Sequence, residues 1–242
     1  MRRRGAALAR GRAPVGALAA LLGLAPFGCN TCPEARTHEP QAQGQGTLVG
    51  QLRLVPRAGA AARSPAREAS EVGDARFVDY STPGFAVVYL EGAAPAAVTF
   101  PLSIETSASG PHLVPENGAL GAGGALAITN QTAEAHVVSC PEAGVLARIP
   151  ARQTLEIPVR QAGPLSLFLL DRPGPMAQLF AAPGPYTVVS GAGTWELHGV
   201  RPGPHRLRTW HPRFAETMRP VEVAADQVLQ LQLEVGVERG DD

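Results

Sequence analysis

Short runs of alternating apolar and polar residues recur along the chain from about residue 46 onward. In residues 47–55 the even positions carry three leucines and Gly50, whereas the odd positions include Gln51 and Arg53. Residues 228–235 alternate more strictly, with apolar side chains at the odd positions and Gln or Glu between them. A period of two is typical of a β-strand with one buried face. These runs predict a strand near each end of the folded chain.

The run Phe85–Leu90 is almost entirely apolar, which predicts a strand buried on both faces. Further short runs predict strands at 98–104, 125–130, 135–140, 155–159, 165–170, 178–180, 186–189, 194–197, 205–210 and 221–223. Residues 56–74 show no strand period and predict a loop. No sustained helical period follows residue 30. Many short strands separated by Gly and Pro predict an all-β fold, a β-sandwich.

The N-terminus has the pattern of an export signal. Arginines precede an apolar run at 15–27, which ends at Gly28-Cys29. We expect a signal peptide at 1–28, too short for a membrane span. The junction resembles a bacterial lipoprotein signal, which implies lipidation of Cys29, although Pro26 and Phe27 stand where a Leu and a small residue are preferred. An ordinary signal cut elsewhere is the alternative.

Residues 29–45 are polar and predict a flexible tether between a membrane and the folded part. Without the five arginines of the first twelve residues, 16 basic residues face 21 acidic ones, a net charge of −5. A mildly acidic body without a basic stripe argues against nucleic acid as a partner. We therefore expect a protein of the periplasm or cell envelope, held to the membrane through its lipid, with an envelope protein or a glycan as partner.

Three cysteines suit an exported protein with at most one disulfide. If Cys29 carries lipid, Cys32 and Cys140 remain, and the sequence leaves open whether they pair. Cys29 and Cys32 have CxxC spacing, but their place at the signal boundary argues against a redox role.

The most specific motif lies in residues 193–212, where two predicted strands flank Pro202-Gly203. Pro followed by Gly fits a type II turn, so we expect a hairpin. The stretch resembles carboxypeptidase-regulatory-like domains, small transthyretin-like β-sandwiches with a G-x-F-x-x-x-G-V-P-P-G-x-Y-x-L-x-x-W hairpin. Trp195 stands at the usual Phe and His205 at the usual Tyr.

The order of segments also resembles bacterial exported proteins of the plastocyanin-like and methylamine-utilisation type. In those, an opening strand and a V-V-Y-L-E-G strand, like residues 87–92 here, precede a cupredoxin-like segment and then the regulatory-like hairpin. The resemblance implies a regulatory-like sandwich built from 46–92 and 183–236, with a cupredoxin-like domain at 93–182.

Cupredoxins bind copper through two His, one Cys and a weak axial Met. The resemblance places His136 at the first His position and aligns the C-x-x-H-P-x-M loop with residues 169–176. There Leu169 stands for Cys, Arg172 stands for His, and Met176 is displaced by one residue. Arg cannot deprotonate to bind a metal. The resemblance therefore implies a degenerate domain without a cofactor; a rewired copper site using His136, Met176 or Cys140 is the alternative, since residues four apart share a strand face.

Three further histidines, His198, His205 and His211, fall on the predicted C-terminal hairpin and could bind zinc or copper weakly if they share a face. Trp195 and Trp210 are expected to pack across the same hairpin. If either ring were exposed instead, it could stack on a sugar.

The sequence contains no nucleophile elbow, HExxH or P-loop motif, so we expect no enzymatic activity. The expectation is a non-enzymatic exported envelope protein that acts as an interaction or structural module. A copper-binding electron-transfer or copper-handling protein is one alternative, and a carbohydrate-binding module is another.

Overall fold

β-Strands form nearly all the regular structure in the part of the chain that the structure describes. The computed structural model describes residues 44–55, 80, 82–92 and 97–236. Its strands are β1 (Gly46–Leu54), β2 (Val87–Leu90), β3 (Thr99–Ser107), β4 (Gly110–Val114), β5 (Asn117–Gly121), β6 (Ala125–Asn130), β7 (His136–Cys140), β8 (Val145–Ile149), β9 (Thr154–Pro158), β10 (Gly163–Leu169), β11 (Ala177–Ala182), β12 (Tyr186–Val188), β13 (Thr194–Val200), β14 (Gly203–His211), β15 (Phe214–Val223) and β16 (Val228–Val235). One 3₁₀ turn, Pro141–Ala143, follows β7. The prediction of an all-β sandwich is confirmed.

One pair of sheets uses strands from both ends of the described chain. A three-stranded sheet has the order β13-β1-β16, and a four-stranded sheet has the order β12-β2-β14-β15. Their apolar faces share one core, which includes Leu48, Leu52 and Trp195. The alternation predicted for β1 and β16 is confirmed, because Leu231, Leu233 and the even-numbered leucines of β1 are buried.

A second pair of sheets lies between those strands in sequence. The orders are β5-β11-β10-β7-β8 and β4-β3-β6-β9. Their core runs from Leu102 to Ala181 and is almost purely aliphatic. Full burial of each such side chain stabilises the fold by about 1.5–3 kcal/mol. This pair of sheets carries the predicted metal-site residues.

β2 contributes side chains to two different apolar clusters. Val88 and Leu90 face the first core, whereas Val87 and Tyr89 face a third apolar cluster with Phe180 and its neighbours on β11. All four residues of β2 are buried. The prediction of a strand buried on both faces is therefore confirmed.

The predicted hairpin at 193–212 is wrong in its pairing. β13 pairs with β1, whereas β14 pairs with β2 and β15, so the two strands belong to different sheets. Gly203 has the positive φ expected of the turn, at 122°. A short turn fixes the direction of the chain but does not oblige the flanking strands to pair, and here the chain crosses from one sheet to the other.

Strands also occupy segments for which the sequence predicts none. β4 and β5 have no predicted counterpart, and Gly118 and Gly121 lie within β5. β8 has no predicted counterpart, and β15 begins seven residues before the predicted strand. In β5 the glycines allow close packing: a β-carbon at Gly118 would lie 2.2 Å from the Phe100 ring.

The boundaries 46–92, 93–182 and 183–236 stay a prediction. Residues 1–43, with the predicted signal, Cys29, Cys32 and most of the tether, lie outside the described residues, as does the predicted loop at 56–74. Within the described ranges, no helix is long and apolar enough to cross a bilayer.

Candidate metal site

His136 is held at the start of β7 by a polar turn that follows β6. Asn130 is fully buried, and its amide donates to three backbone carbonyls, of Glu134 at 2.7 Å and of Ile149 and Pro150 at 3.1 Å. Its carbonyl oxygen accepts from the N–H and hydroxyl groups of Thr132, at 2.9 and 2.8 Å. An Asn side chain that hydrogen-bonds two residues ahead is a local turn device, and it places Thr132 against His136.

The Thr132 hydroxyl and the His136 ring share a hydrogen bond. The hydroxyl oxygen lies 2.8 Å from Asn130 Oδ1, 3.0 Å from the Glu134 carbonyl oxygen and 2.9 Å from His136 Nε2. The tautomer of the imidazole decides whether the hydroxyl or Nε2 donates. The other ring nitrogen, Nδ1, lies 3.4 Å from Oδ2 of Asp171. Nδ1 is therefore the ring nitrogen that lies beside a carboxylate.

Asp171 reaches this position through strand register. Leu169 on β10 pairs with Val138 on β7, and the N–H of Leu170 donates to the Val137 carbonyl. The two strands are antiparallel, so two residues forward from Leu169 and two residues back from Val138 bring Asp171 beside His136. The imidazole is 7% exposed and the carboxylate is 51% exposed, so the pair lies at the rim of the second core.

Cys140 does not join His136 at one ion. Both side chains are buried on the same face of β7, as their even spacing predicts. Four residues of extended strand separate them by about 13 Å, however, with Val138 between. Burial raises the pKa of the Cys140 thiol, and the adjacent Glu142 carboxylate raises it further. Shared ligation by His136 and Cys140 is therefore ruled out by the strand itself.

The other positions of the aligned loop hold packing residues. Leu169 is fully buried in the second core, and Met176 packs partly buried against it. Arg172 extends to the β3–β4 hairpin, where its Nη1 lies 2.9 Å from the point that a β-carbon of Gly110 would occupy. Among the described residues no group of three or more His, Cys, Asp or Glu side chains is arranged to hold a metal.

The three C-terminal histidines are held apart by the sheet pairing. His198 is 68% exposed on β13, with Nε2 3.2 Å from Glu196. His205 contacts the Arg201 carbonyl. His211 is buried: Nε2 donates to the Pro83 carbonyl at 3.0 Å, and Nδ1 accepts from the Arg213 N–H at 3.1 Å. β13 and β14 are not partners, so His198 does not face the other two. His205 and His211 lie six residues apart on β14, about 20 Å along the strand, which is too far to share an ion.

The two tryptophans likewise lie in different clusters. Trp195 is 3% exposed in the first core, whereas Trp210 is half-buried in the third cluster. They do not pack across a hairpin as predicted. Burial of Trp195 leaves no ring face there for a sugar.

Thr132 and Asp171, the two side chains that contact the His136 ring, are absent from the sequence-based prediction. The run Asn130-x-Thr132 is the pattern of an Asx turn and could have signalled the first contact. The second depends on the pairing of β7 with β10, which alternation alone does not reveal.

Comparison with known proteins identifies no family for this chain. No protein-family profile matches the chain. No curated protein matches it either. Among solved structures, a novel purple cupredoxin from Nitrosopumilus maritimus is similar over 34% of this chain and 98% of its own, with 13% identity and a TM-score of 0.29.

Proposed function

We propose that this protein is a non-enzymatic, exported and lipid-anchored envelope protein that acts as an interaction or structural module, with a degenerate cupredoxin-like domain. The observation that carries the proposal is the residues at 169–176, where the resemblance would place a Cys and a His of a copper site. Leu169 lies in the aliphatic core and Arg172 lies against Gly110, so neither a thiolate nor a second imidazole is supplied there. A blue-copper site requires both.

The burial of Thr132 and His136 supports the absence of hydrolytic chemistry. Thr132, His136 and Asp171 form a row that resembles a nucleophile, base and orienting acid. The Thr132 and His136 side chains are buried, however, and the Thr132 hydroxyl also contacts Asn130 Oδ1 and the Glu134 carbonyl within the turn. We therefore assign these side chains the role of holding the start of β7.

Copper analysis of the full chain purified from its native envelope tests the proposal. We expect copper well below one ion per chain and, on Cu(II) titration, no intense thiolate-to-copper band in the visible spectrum. An intense band would overturn the proposal of a degenerate domain. Acyl labelling tests the anchor: Cys29→Ala should abolish it, and the matched variant Cys32→Ala should retain it.

A second candidate function, copper handling, is favoured by one distance. His136 Nδ1 and Asp171 Oδ2 are 3.4 Å apart, and two ligands about 2.0 Å from a tetrahedral ion stand about 3.3 Å from each other. Such a nitrogen–oxygen site would give a Cu(II) electron paramagnetic resonance signal without the thiolate band. Loss of that signal in both His136→Gln and Asp171→Asn, with retention in His198→Gln, would favour this function over the first.

A further inference from the structure

An aromatic groove lies between the β12-β2-β14-β15 sheet and strands β10 and β11, and its lining does not include His136. Its volume is about 400 Å³, and its walls include Trp210, Phe214, Tyr89 and Phe180. The Phe180 and Trp210 rings are stacked with centroids 4.7 Å apart, and Tyr89 lies 5.2 Å from Phe180. Tyr89 and Phe180 are buried, whereas Trp210 and Phe214 are half-buried. The Phe214 ring packs on His211, with centroids 4.7 Å apart, so Trp210 is the half-buried aromatic residue of the third cluster that lines the groove.

One carboxylate faces these rings. Of the described residues that line the groove, Glu216 alone is charged, and its side chain is 32% exposed. It accepts a hydrogen bond from the Tyr89 hydroxyl, and burial together with Glu216 raises the pKa of Tyr89, so the phenol stays protonated. The groove therefore combines electron-rich ring faces with a negative charge.

The nearest cation does not fully neutralise that charge. Arg208 directs its Nε to Glu91 and leaves Nη1 3.6 Å from Glu216. Arg206, the other cation of this network, contacts Glu91 at 3.5 Å and is 66% exposed. The network thus holds two guanidiniums and two carboxylates, but Glu91 contacts both arginines, whereas Glu216 contacts Arg208 alone and at the longer distance.

The scarcity of polar groups decides between ligand classes. A sugar ring carries several hydroxyls, each of which loses free energy when it is buried without a partner. Among the described residues that line the groove Glu216 is the one charged side chain, and the Tyr89 hydroxyl already donates to it. An alkylated ammonium needs little more than a ring face and a negative charge, because it has few or no hydrogen-bond donors of its own. We propose that this groove binds an organic cation with an alkylated ammonium head, which Trp210 contacts through its ring and Glu216 attracts by charge.

This inference does not depend on export, lipidation or copper. Its test uses the full chain in a detergent without choline groups, titrated with choline and with 3,3-dimethylbutan-1-ol, the neutral molecule of the same shape. The indole N–H resonances report binding separately, since Trp195 lies in another core and serves as an internal control. We expect the Trp210 resonance to shift with choline, and binding at least about fivefold tighter than for the neutral isostere.

Glu216→Gln should reduce choline binding toward that of the isostere. Glu222→Gln, six residues along β15 and outside the groove, should leave it unchanged. Equal binding of choline and the isostere would show that the groove binds through apolar contact alone, and it would overturn the proposal. The proposal is also overturned if no Trp210 shift occurs up to about 50 mM choline, or if methyl glucoside binds and choline does not.

Discussion

A β-carbon added to Gly50 would lie 2.7 Å from Cζ2 of Trp195 and 2.1 Å from the backbone oxygen of Leu231. Gly50 and Trp195 are direct partners across the β1–β13 pair. The indole therefore occupies the space that a side chain at position 50 would otherwise fill. The glycine at the centre of an otherwise leucine-rich strand is required by its neighbour on the next strand.

Gly50→Ala should lower the free energy of unfolding by at least about 2 kcal/mol, because both the indole and a backbone strand must shift. Urea denaturation followed by fluorescence measures this. Gly191→Ala is the matched control, since nothing lies within 4 Å of its added β-carbon, and it should change stability by less than about 0.5 kcal/mol. Similar midpoints for the two variants would contradict the packing described for Trp195.

Asn130→Asp should destabilise the second sandwich by about 3 kcal/mol, because it replaces a buried donor by an oxygen that faces three carbonyl oxygens. Asn117→Asp makes the same chemical change at an exposed strand end and should have little effect. The imidazole resonances of His136 give a second readout, since they should move only in the first variant. Unchanged His136 resonances in Asn130→Asp would contradict the hydrogen-bonded contacts that link Asn130, Thr132 and His136.

Side-chain pattern predicts the burial of these strands well and their pairing poorly. Alternation identifies the inward leucines of β1 and β16, and the apolar run in β2 reveals a strand covered on both faces, because both depend only on neighbours in sequence. β8 is not predicted because its residues do not alternate clearly between apolar and polar. Leu146 is apolar although it is 67% exposed, and it stands next to Ala147, so the exposed face of the strand cannot be recognised from residue type. The predicted hairpin at 193–212 is wrong because the strand with which each strand pairs depends on contacts across the whole fold, and not only on the turn between them.

Prediction of the candidate site is limited in the same way. The resemblance seen in the sequence singles out His136, Leu169 and Arg172 by residue type alone, and their correspondence to cupredoxin ligand positions stays a prediction. The contact of His136 with Asp171 follows from the register of β7 against β10, and the groove at Trp210 follows from the packing of β11 on β2. Neither relation is encoded within a single run of residues.

Cys140 should be inert toward thiol reagents in the folded protein. Its side chain is fully buried, and the raised pKa keeps it as the thiol, which is the unreactive form. In a chain with Cys29→Ser and Cys32→Ser, we expect Cys140 to react with a disulfide reagent at least about 100-fold slower in buffer than in denaturant. Fast labelling in buffer would contradict this burial. In the unaltered chain, mass analysis without reductant separates the free thiol seen in the structure from a Cys32–Cys140 bridge.

His211 should make the stability of the first sandwich depend on pH. Burial lowers its pKa below the ordinary value of 6.5, and the nearby Arg213 lowers it further, against the hydrogen bond to Pro83. Between the folded pKa and 6.5 the unfolded chain binds more protons, so it is favoured as the pH falls. The stability from neutral His211 is thus complete above about pH 6.5 and is lost as the pH drops toward the folded pKa.

Urea midpoints of the wild type and of His211→Gln at pH 7.5 and pH 5.5 test this. The difference between the two proteins should shrink at the lower pH, because Gln has no proton to gain. The ¹⁵N shifts of His211 provide an independent check, since Nδ1 should appear as an unprotonated acceptor at pH 7.5. If both proteins lose the same stability between the two pH values, His211 is not the group that titrates. If Nδ1 carries a proton at pH 7.5, the hydrogen bond from the Arg213 N–H cannot exist as described.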